Sequence, residues 1–222
     1  LVMLNYTVSE ENYIKTIHRL QQYGTVTTNA LAAELKSKPA SITAMMKKLK
    51  AKKLLNYQPY YGFRLSAEGN KVALLIIRRH RLWEYFLAEK LQFSWDEVHE
   101  VAEHLEHVSS KKLIDKLDEF LGFPTADPHG DPIPDAQGKI KNIQKVCLTD
   151  LPLNKPATVC QVADQSPSIL ELLNHNQIKI GTRVEVKRKF DFDNSLEIKT
   201  KQTAPFTISK QLAKNIFLNY AE

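Results

Sequence analysis

With 222 residues, 43% of them hydrophobic, the chain is long enough for one large domain or two to three small ones with buried cores. Its longest apolar run, VALLII at 72–77, meets RRHR at once and falls far short of the roughly 20 apolar residues a membrane span requires. The net charge of +6 conceals a gradient: residues 1–79 carry 13 Lys and Arg against 4 Asp and Glu, residues 80–142 carry 7 against 13, and residues 143–222 carry 11 against 8. A basic first third suits a polyanion such as DNA, and an acidic middle third suits a cation. No signal peptide is visible, and Cys147 and Cys160 form neither a CxxC pair nor a disulfide framework, so a cytoplasmic protein is expected.

In VSEENYIKTIHRLQQYG, residues Tyr13, Ile14, Ile17 and Leu20 recur at helical spacing, with Ser9 as the capping residue and Gly24 as the stop. TTNALAAELKSKPASITAMMKKLKAKKLL predicts a short helix around Leu31 and Leu35, a break at KSKP, and a second helix with Ile42, Met45, Met46 and Leu49 facing inward. LNYQPYYGFRLSAEG, with Gly62 and Gly69, predicts a two-stranded hairpin, which completes a winged helix-turn-helix. In such a motif the N-terminal end of the second helix reaches base edges. Pro39, Ala40, Ser41, Thr43 and Ala44 occupy that end and are small enough for close approach to bases and thymine methyls. Lys47 and Lys48, and Arg64 on the wing, suit phosphate contacts.

A long helix is expected from about Asn70 to Leu91, then one carrying VHEVAEHLEHV (98–108), and a third from about Ser110 to Leu121. At about 100° per residue, His99, Glu103, Glu106 and His107 share one face, while Val98, Val101, Ala102, Leu105 and Val108 lie opposite. His80 and Glu84 form a second i, i+4 pair on the preceding helix. Packed antiparallel, the two helices offer six metal-ligand side chains, with Asn12 or Glu11 of the first helix nearby. The bland alternative is a solvated acidic face with incidental histidines. Imidazoles and carboxylates without cysteine or methionine favour Mn²⁺, with Fe²⁺ next. HEVAEH separates its histidines by five rather than the four of HExxH, and no nucleophile elbow or phosphate loop is present, so no enzyme is expected. The rival readings are a winged-helix regulator with a purely structural metal and a di-metal hydrolase.

GFPTADPHGDPIPDAQG is too rich in Pro, Gly and Asp for helix or central strand. After Lys145, ATVCQVAD, TRVEVKRKF, SLEIKTKQ, FTISK and NIFLNY read as half-buried strands of a small β-barrel, with SPSILELLNH as one helix capped by Ser166. The fold class expected is mainly α with a small β-barrel.

SEENYIKTIHRL, KPASITAMMKKL, RRHRLWE, VHEVAEHLEHV and DPHGDPIP resemble, in order and spacing, the diphtheria toxin repressor family of metal-dependent bacterial regulators. Within the family the chain is similar to the manganese transport regulator branch, because Glu103 stands where iron-responsive members carry cysteine. The resemblance implies a winged helix-turn-helix over 1–75, a helical dimerisation and metal-binding domain over 76–142, a linker over 143–155 and an SH3-like (FeoA-like) domain over 156–222. It implies a homodimer on palindromic operator DNA that represses metal-uptake genes, with Mn²⁺, or alternatively Fe²⁺, as the effector. Glu103, Glu106 and His107 match the family's primary metal ligands, with Asn12 at the helix-one position. His80, Glu84 and His99 match the second site, joined by Asp127 and His129 of the PHG loop and by Asp164 of the third domain. Asp127 stands where a cysteine is found in long manganese-responsive members, and Lys15 where one two-metal member has glutamate.

Overall fold

The computed structural model describes residues 6–58, 62–108, 110–141 and 144–219. The described residues form two units. The first holds those up to Trp83 together with 102–123 and 133–140; the second holds 84–101, 124–132 and those from 141 onward.

In the first unit, α1 (Val8–Leu20) is followed by α2 (Thr28–Glu34), α3 (Pro39–Ala51), β1 (Leu55–Gln58) and β2 (Gly62–Leu65). Helix α1 begins earlier than the sequence reading placed it. Thr7, not Ser9, is the N-cap: its hydroxyl accepts the Glu10 N–H at 3.3 Å while the Glu10 carboxylate accepts the Thr7 N–H at 2.8 Å. Ile14 and Ile17 of α1 pack fully buried with Leu31 of α2, Ile42 and Leu49 of α3, and Leu54 beyond it. The break between α2 and α3 is a left-handed Lys36 (φ 46°), and Pro39 sits at the first turn of α3, where its missing N–H costs nothing. β1 and β2 pair antiparallel, Asn56 opposite Arg64; the tip of the expected wing, 59–61, lies outside the described residues. Gly62 (φ +68°) lets β2 start against the 25–26 segment, since a Cβ there would lie 2.4 Å from the Val26 carbonyl oxygen.

Helix α4 (Ala67–Leu91) starts three residues before the expected Asn70. Gly69, expected within the hairpin segment, lies in the first turn of α4, where a side chain would strike the Leu54 carbonyl; the Ser66 hydroxyl accepts its N–H at 3.0 Å. Helix α5 (Val98–Leu105) buries Val98 and Ala102 as expected but ends before Glu106, so Glu106 and His107 stand in the turn that follows. Helix α6 (Lys111–Phe120), capped by Ser110, buries Ile114 and Leu117.

The second unit carries β3 (Val146–Cys147), a 3₁₀ turn (Leu148–Asp150), β4 (Pro156–Val162), α7 (Pro167–His175), β5 (Arg183–Lys189), β6 (Leu196–Thr200), β7 (Phe206–Ile208), α8 (Lys210–Ala213) and β8 (Ile216–Asn219). The strands form one six-stranded antiparallel sheet in the order β3-β8-β4-β5-β6-β7. Val184, Val186, Leu196 and Ile198, the alternating apolar positions of the sequence, all face its core. Leu148 and Leu151 are fully buried in the same core, so much of the expected 143–155 linker is packed structure; residues 142–143, where the linker was to begin, lie outside the described residues.

Candidate metal centre

In the second unit, Glu84 of α4 and Asp127 and His129 of the PHG loop are all buried, and each offers a ligand atom within 4.8 Å of the others. The loop is built to present them. Gly130 (φ +85°) lies so close to β4 that a Cβ would fall 1.9 Å from the Cys160 carbonyl oxygen. The His129 carbonyl accepts the Val162 N–H at 2.9 Å, and Asp127 Oδ1 accepts the N–H groups of His129 and Asp131 at 2.9 Å each. His129 Nε2 lies 2.7 Å from the Trp95 carbonyl oxygen. A carbonyl only accepts, so Nε2 donates to it and Nδ1 is the ring nitrogen left over on the side of the two carboxylates. That Nδ1 is buried and has no hydrogen-bond partner. The indole of Trp95 stacks on the imidazole at 6.0 Å between ring centres. Orienting a ligand imidazole by a carbonyl on its far nitrogen is how metal-binding histidines are held, so the donor set fits a divalent cation. Two carboxylates and one imidazole form a hard set suited to Mn²⁺ or Fe²⁺.

His99 Nδ1 lies 3.2 Å from Glu84 Oε1, beside this group. Asp164 is exposed, and its carboxylate accepts the Ser166 N–H at 2.9 Å. It stands as the turn preceding α7, the alternative that Asp, Ser and Pro spacing allows. Asp131, which the sequence reading passed over, accepts from Gln165 Nε2 at 3.2 Å and also pairs with Gln161, fastening the loop to the sheet.

A second arrangement lies in the first unit. Glu106 is fully buried; Lys15 Nζ of α1 lies 2.7 and 2.8 Å from its two oxygens, and His80 Nδ1 lies 2.6 Å from Oε2. The same ammonium is 2.5 Å from Glu103 Oε1. Burial alone would raise the Glu106 carboxyl, but the His80 hydrogen bond and the Lys15 ammonium outweigh it and hold the carboxyl below its usual range. His107 Nδ1 lies 2.7 Å from Glu11 Oε2, leaving Nε2 to face Glu106 Oε1 at 3.8 Å. Glu11 therefore orients His107, and its other oxygen takes Arg79 Nη2 at 2.5 Å. Arg79 Nε also donates to the Glu106 carbonyl at 2.7 Å. The buried Asn12 Oδ1 has no hydrogen-bond partner, which leaves it available as a neutral oxygen ligand. His104 is exposed, as expected. Trp95, whose contribution is a backbone carbonyl, and Arg79, which stands in a run of basic residues, carry no signal of these roles in the sequence.

On the DNA-facing candidate surface, Pro39, Ala40, Ser41, Thr43 and Ala44 at the start of α3 are all exposed, as are Lys47 and Arg64. Lys48 is less free, since Nζ lies 3.3 Å from the buried Glu10 carboxylate, which also binds Lys52 Nζ at 2.5 Å.

Residues 5–63 match the family described as "Iron dependent repressor, N-terminal DNA binding domain", residues 66–135 its "metal binding and dimerisation domain", and residues 146–219 the FeoA domain. The chain is 30% identical over 157 residues to the iron-dependent repressor IdeR of Mycobacterium leprae, covering 67% of this chain and 68% of that one. The chain belongs to the iron-dependent repressor family. The HTH-type transcriptional regulator MntR of Oceanobacillus iheyensis, another relative in this family, is 30% identical over 141 residues, 63% of this chain and 89% of its own. A solved structure titled as a manganese-dependent transcriptional repressor in complex with manganese superposes with a TM-score of 0.81 at 30% identity, covering 94% of this chain and 98% of that one. This is a family of metal-dependent transcriptional repressors, in which the winged helix, helical metal-binding segment and FeoA-type sheet of the present chain are the shared parts. No helix among the described residues is long and apolar enough to cross a membrane.

Proposed function

We propose that this member of the iron-dependent repressor family is a manganese-activated repressor that binds palindromic operator DNA as a homodimer and controls metal-uptake genes. In this reading residues 1–75 read the operator, 76–142 sense metal and pair the subunits, and the segment from 156 supports the PHG loop. The observation that carries it is the buried His129 Nδ1, without a hydrogen-bond partner, facing Glu84 and Asp127, a hard donor set with no thiolate. A bound divalent cation supplies the positive charge that lets these facing carboxylates stay ionised together. Glu103, Glu106 and His107, with Asn12 on α1, form the other candidate centre, and an ion held there would replace the Lys15 contact as the tie between α1 and the end of α5. Such a tie would hold α3 at a set distance from its counterpart in a dimer, which lowers the ordering cost of meeting two half-sites a helical turn apart. Exposed Leu113, Phe120 and Phe123 on and beside α6 supply apolar surface suited to a second copy.

The test is binding of metal-stripped protein to fragments upstream of metal-transport genes, titrated anaerobically with Mn²⁺ and with Fe²⁺. Binding that switches on with Mn²⁺ and is lost in Glu106→Ala and His129→Ala is the expected result. Activation by Fe²⁺ in preference to Mn²⁺ would replace manganese with iron, and equal binding without metal would overturn the switch itself. Linkage further requires operator DNA to tighten metal binding by the factor by which metal tightens operator binding.

A further inference from the structure

We propose that Lys15 is a built-in cation of the Glu103–Glu106 pocket and sets the metal threshold of that centre. Its ammonium joins α1 to the end of α5 in the metal-free protein, and it must leave the carboxylates before a divalent ion can take them. The inference rests on reading Glu103, Glu106 and His107 as a metal centre.

Three carboxylate oxygens surround one ammonium: Glu103 Oε1 at 2.5 Å and the two oxygens of Glu106 at 2.7 and 2.8 Å. Glu106 is fully buried and the Lys15 side chain only 22% exposed, so water screens this contact weakly. His80 occupies the remaining side of Glu106 Oε2. Every Glu106 oxygen is thus engaged by a donor, and a cation tethered to the adjoining helix competes at high effective concentration. The Glu84–Asp127–His129 group differs in that no ammonium sits on it in the contacts described above. The Glu106 centre therefore fills only once Lys15 is displaced. The lysine of α1 thereby raises the metal concentration that this centre requires.

The test isolates the Glu106 centre by placing Glu84→Gln in all proteins and titrating Mn²⁺ against each by calorimetry, with thermal melting in chelator as a second readout. Lys15→Met, which keeps the stem and removes the charge, is expected to bind Mn²⁺ about tenfold more tightly, the equivalent of one partly buried ion pair. It should also lower the metal-free melting temperature. Lys15→Arg, which keeps the charge, should restore the weak binding. These opposite signs are not what a merely structural lysine produces. Unchanged Mn²⁺ affinity in Lys15→Met, with clear binding that Glu106→Ala abolishes, would overturn the proposal and leave the centre standing. Absence of Mn²⁺ binding both with Lys15 in place and in the Lys15→Met protein would overturn the centre and the proposal together.

Discussion

Replacing Gly130 by alanine tests whether the PHG loop positions the metal ligands through its contact with the sheet. The new Cβ would sit 1.9 Å from the Cys160 carbonyl oxygen and 2.7 Å from the Gln161 Cα, both backbone atoms that cannot rotate away. Restoring ordinary contact requires the loop to retreat by about 1.5 Å or more, taking His129 with it. The left-handed backbone (φ +85°) adds about 1–2 kcal/mol for a residue with a Cβ, and overpacking adds about 1–3. The sum, about 2–5 kcal/mol, corresponds to a fall of roughly 5–15 °C in melting temperature for a chain of this size. Gly122 is the control: its φ is +75° but nothing lies within 4 Å of its Cβ position, so Gly122→Ala should show the backbone cost alone. The assay is thermal melting with and without Mn²⁺, since a ligand bound by the folded state raises the midpoint. Gly130→Ala should lose most of the Mn²⁺-induced rise while Gly122→Ala keeps it. A Gly130→Ala protein that melts like Gly122→Ala and retains the full rise would refute the argument that this contact holds the ligands in place.

Four further outcomes are expected. The buried Glu10 carboxyl is subject to a burial effect that raises it, overcome by hydrogen bonds from Lys52, the Thr7 N–H and Lys48, and is held at about 2 against an ordinary 4.5. Its stabilisation is therefore present above about pH 4.5 and lost as pH falls toward 2; Glu10→Gln should cost about 1–2 kcal/mol at pH 7, discounted for the partly exposed lysines, with the difference closing in acid melts. Asp118→Ala strands the buried Arg78, whose Nη2 lies 2.6 Å from Asp118 Oδ2, and denaturant titration should show a loss of about 3 kcal/mol. Lys47→Ala and Arg64→Ala should each lower the salt slope of operator binding by about 1, and Lys48→Ala by less, because Glu10 shares its charge. Because Trp95 stacks on His129, Mn²⁺ should shift the protein's indole emission, and Trp95→Phe should remove that shift while leaving Mn²⁺ affinity close to that of the parent, the His129 hydrogen bond being to a backbone carbonyl.

Periodicity carried most of the secondary structure. Ile14, Ile17, Ile42, Leu49 and the Val184/Val186 alternation all enter cores, because burial is a property of spacing along one element. Element ends were less legible. The start of α1 depends on which of two nearby hydroxyls, Thr7 or Ser9, caps the first turn, and the reciprocal bond from Glu10 decides it for Thr7. Gly69 reads as part of the hairpin segment, and only the approach of the Leu54 carbonyl to the start of α4 explains it.

The chemistry divides in the same way. Hard ligand types, a basic winged helix with small residues leading α3, and an acidic middle third are written in residue identity and order, and these sufficed to point to a metal-responsive DNA-binding protein. Which ligands meet was decided only by tertiary structure. A helical wheel places His99, Glu103, Glu106 and His107 on one face; Glu103 and Glu106 do meet, on Lys15 of α1, although α5 ends at Leu105, while His99 lies against Glu84. Residues 84, 127 and 129 meet because Gly130 presses a loop against β4, and His129 turns Nδ1 toward the other two because a backbone carbonyl takes Nε2. The sequence marks Lys15 only as a departure from a glutamate position; that Glu103 and Glu106, some ninety positions away, close around it is a matter of tertiary structure. Local spacing dictates which face a side chain takes; long-range contacts and backbone partners dictate what it finds there, and no pattern confined to one element encodes them.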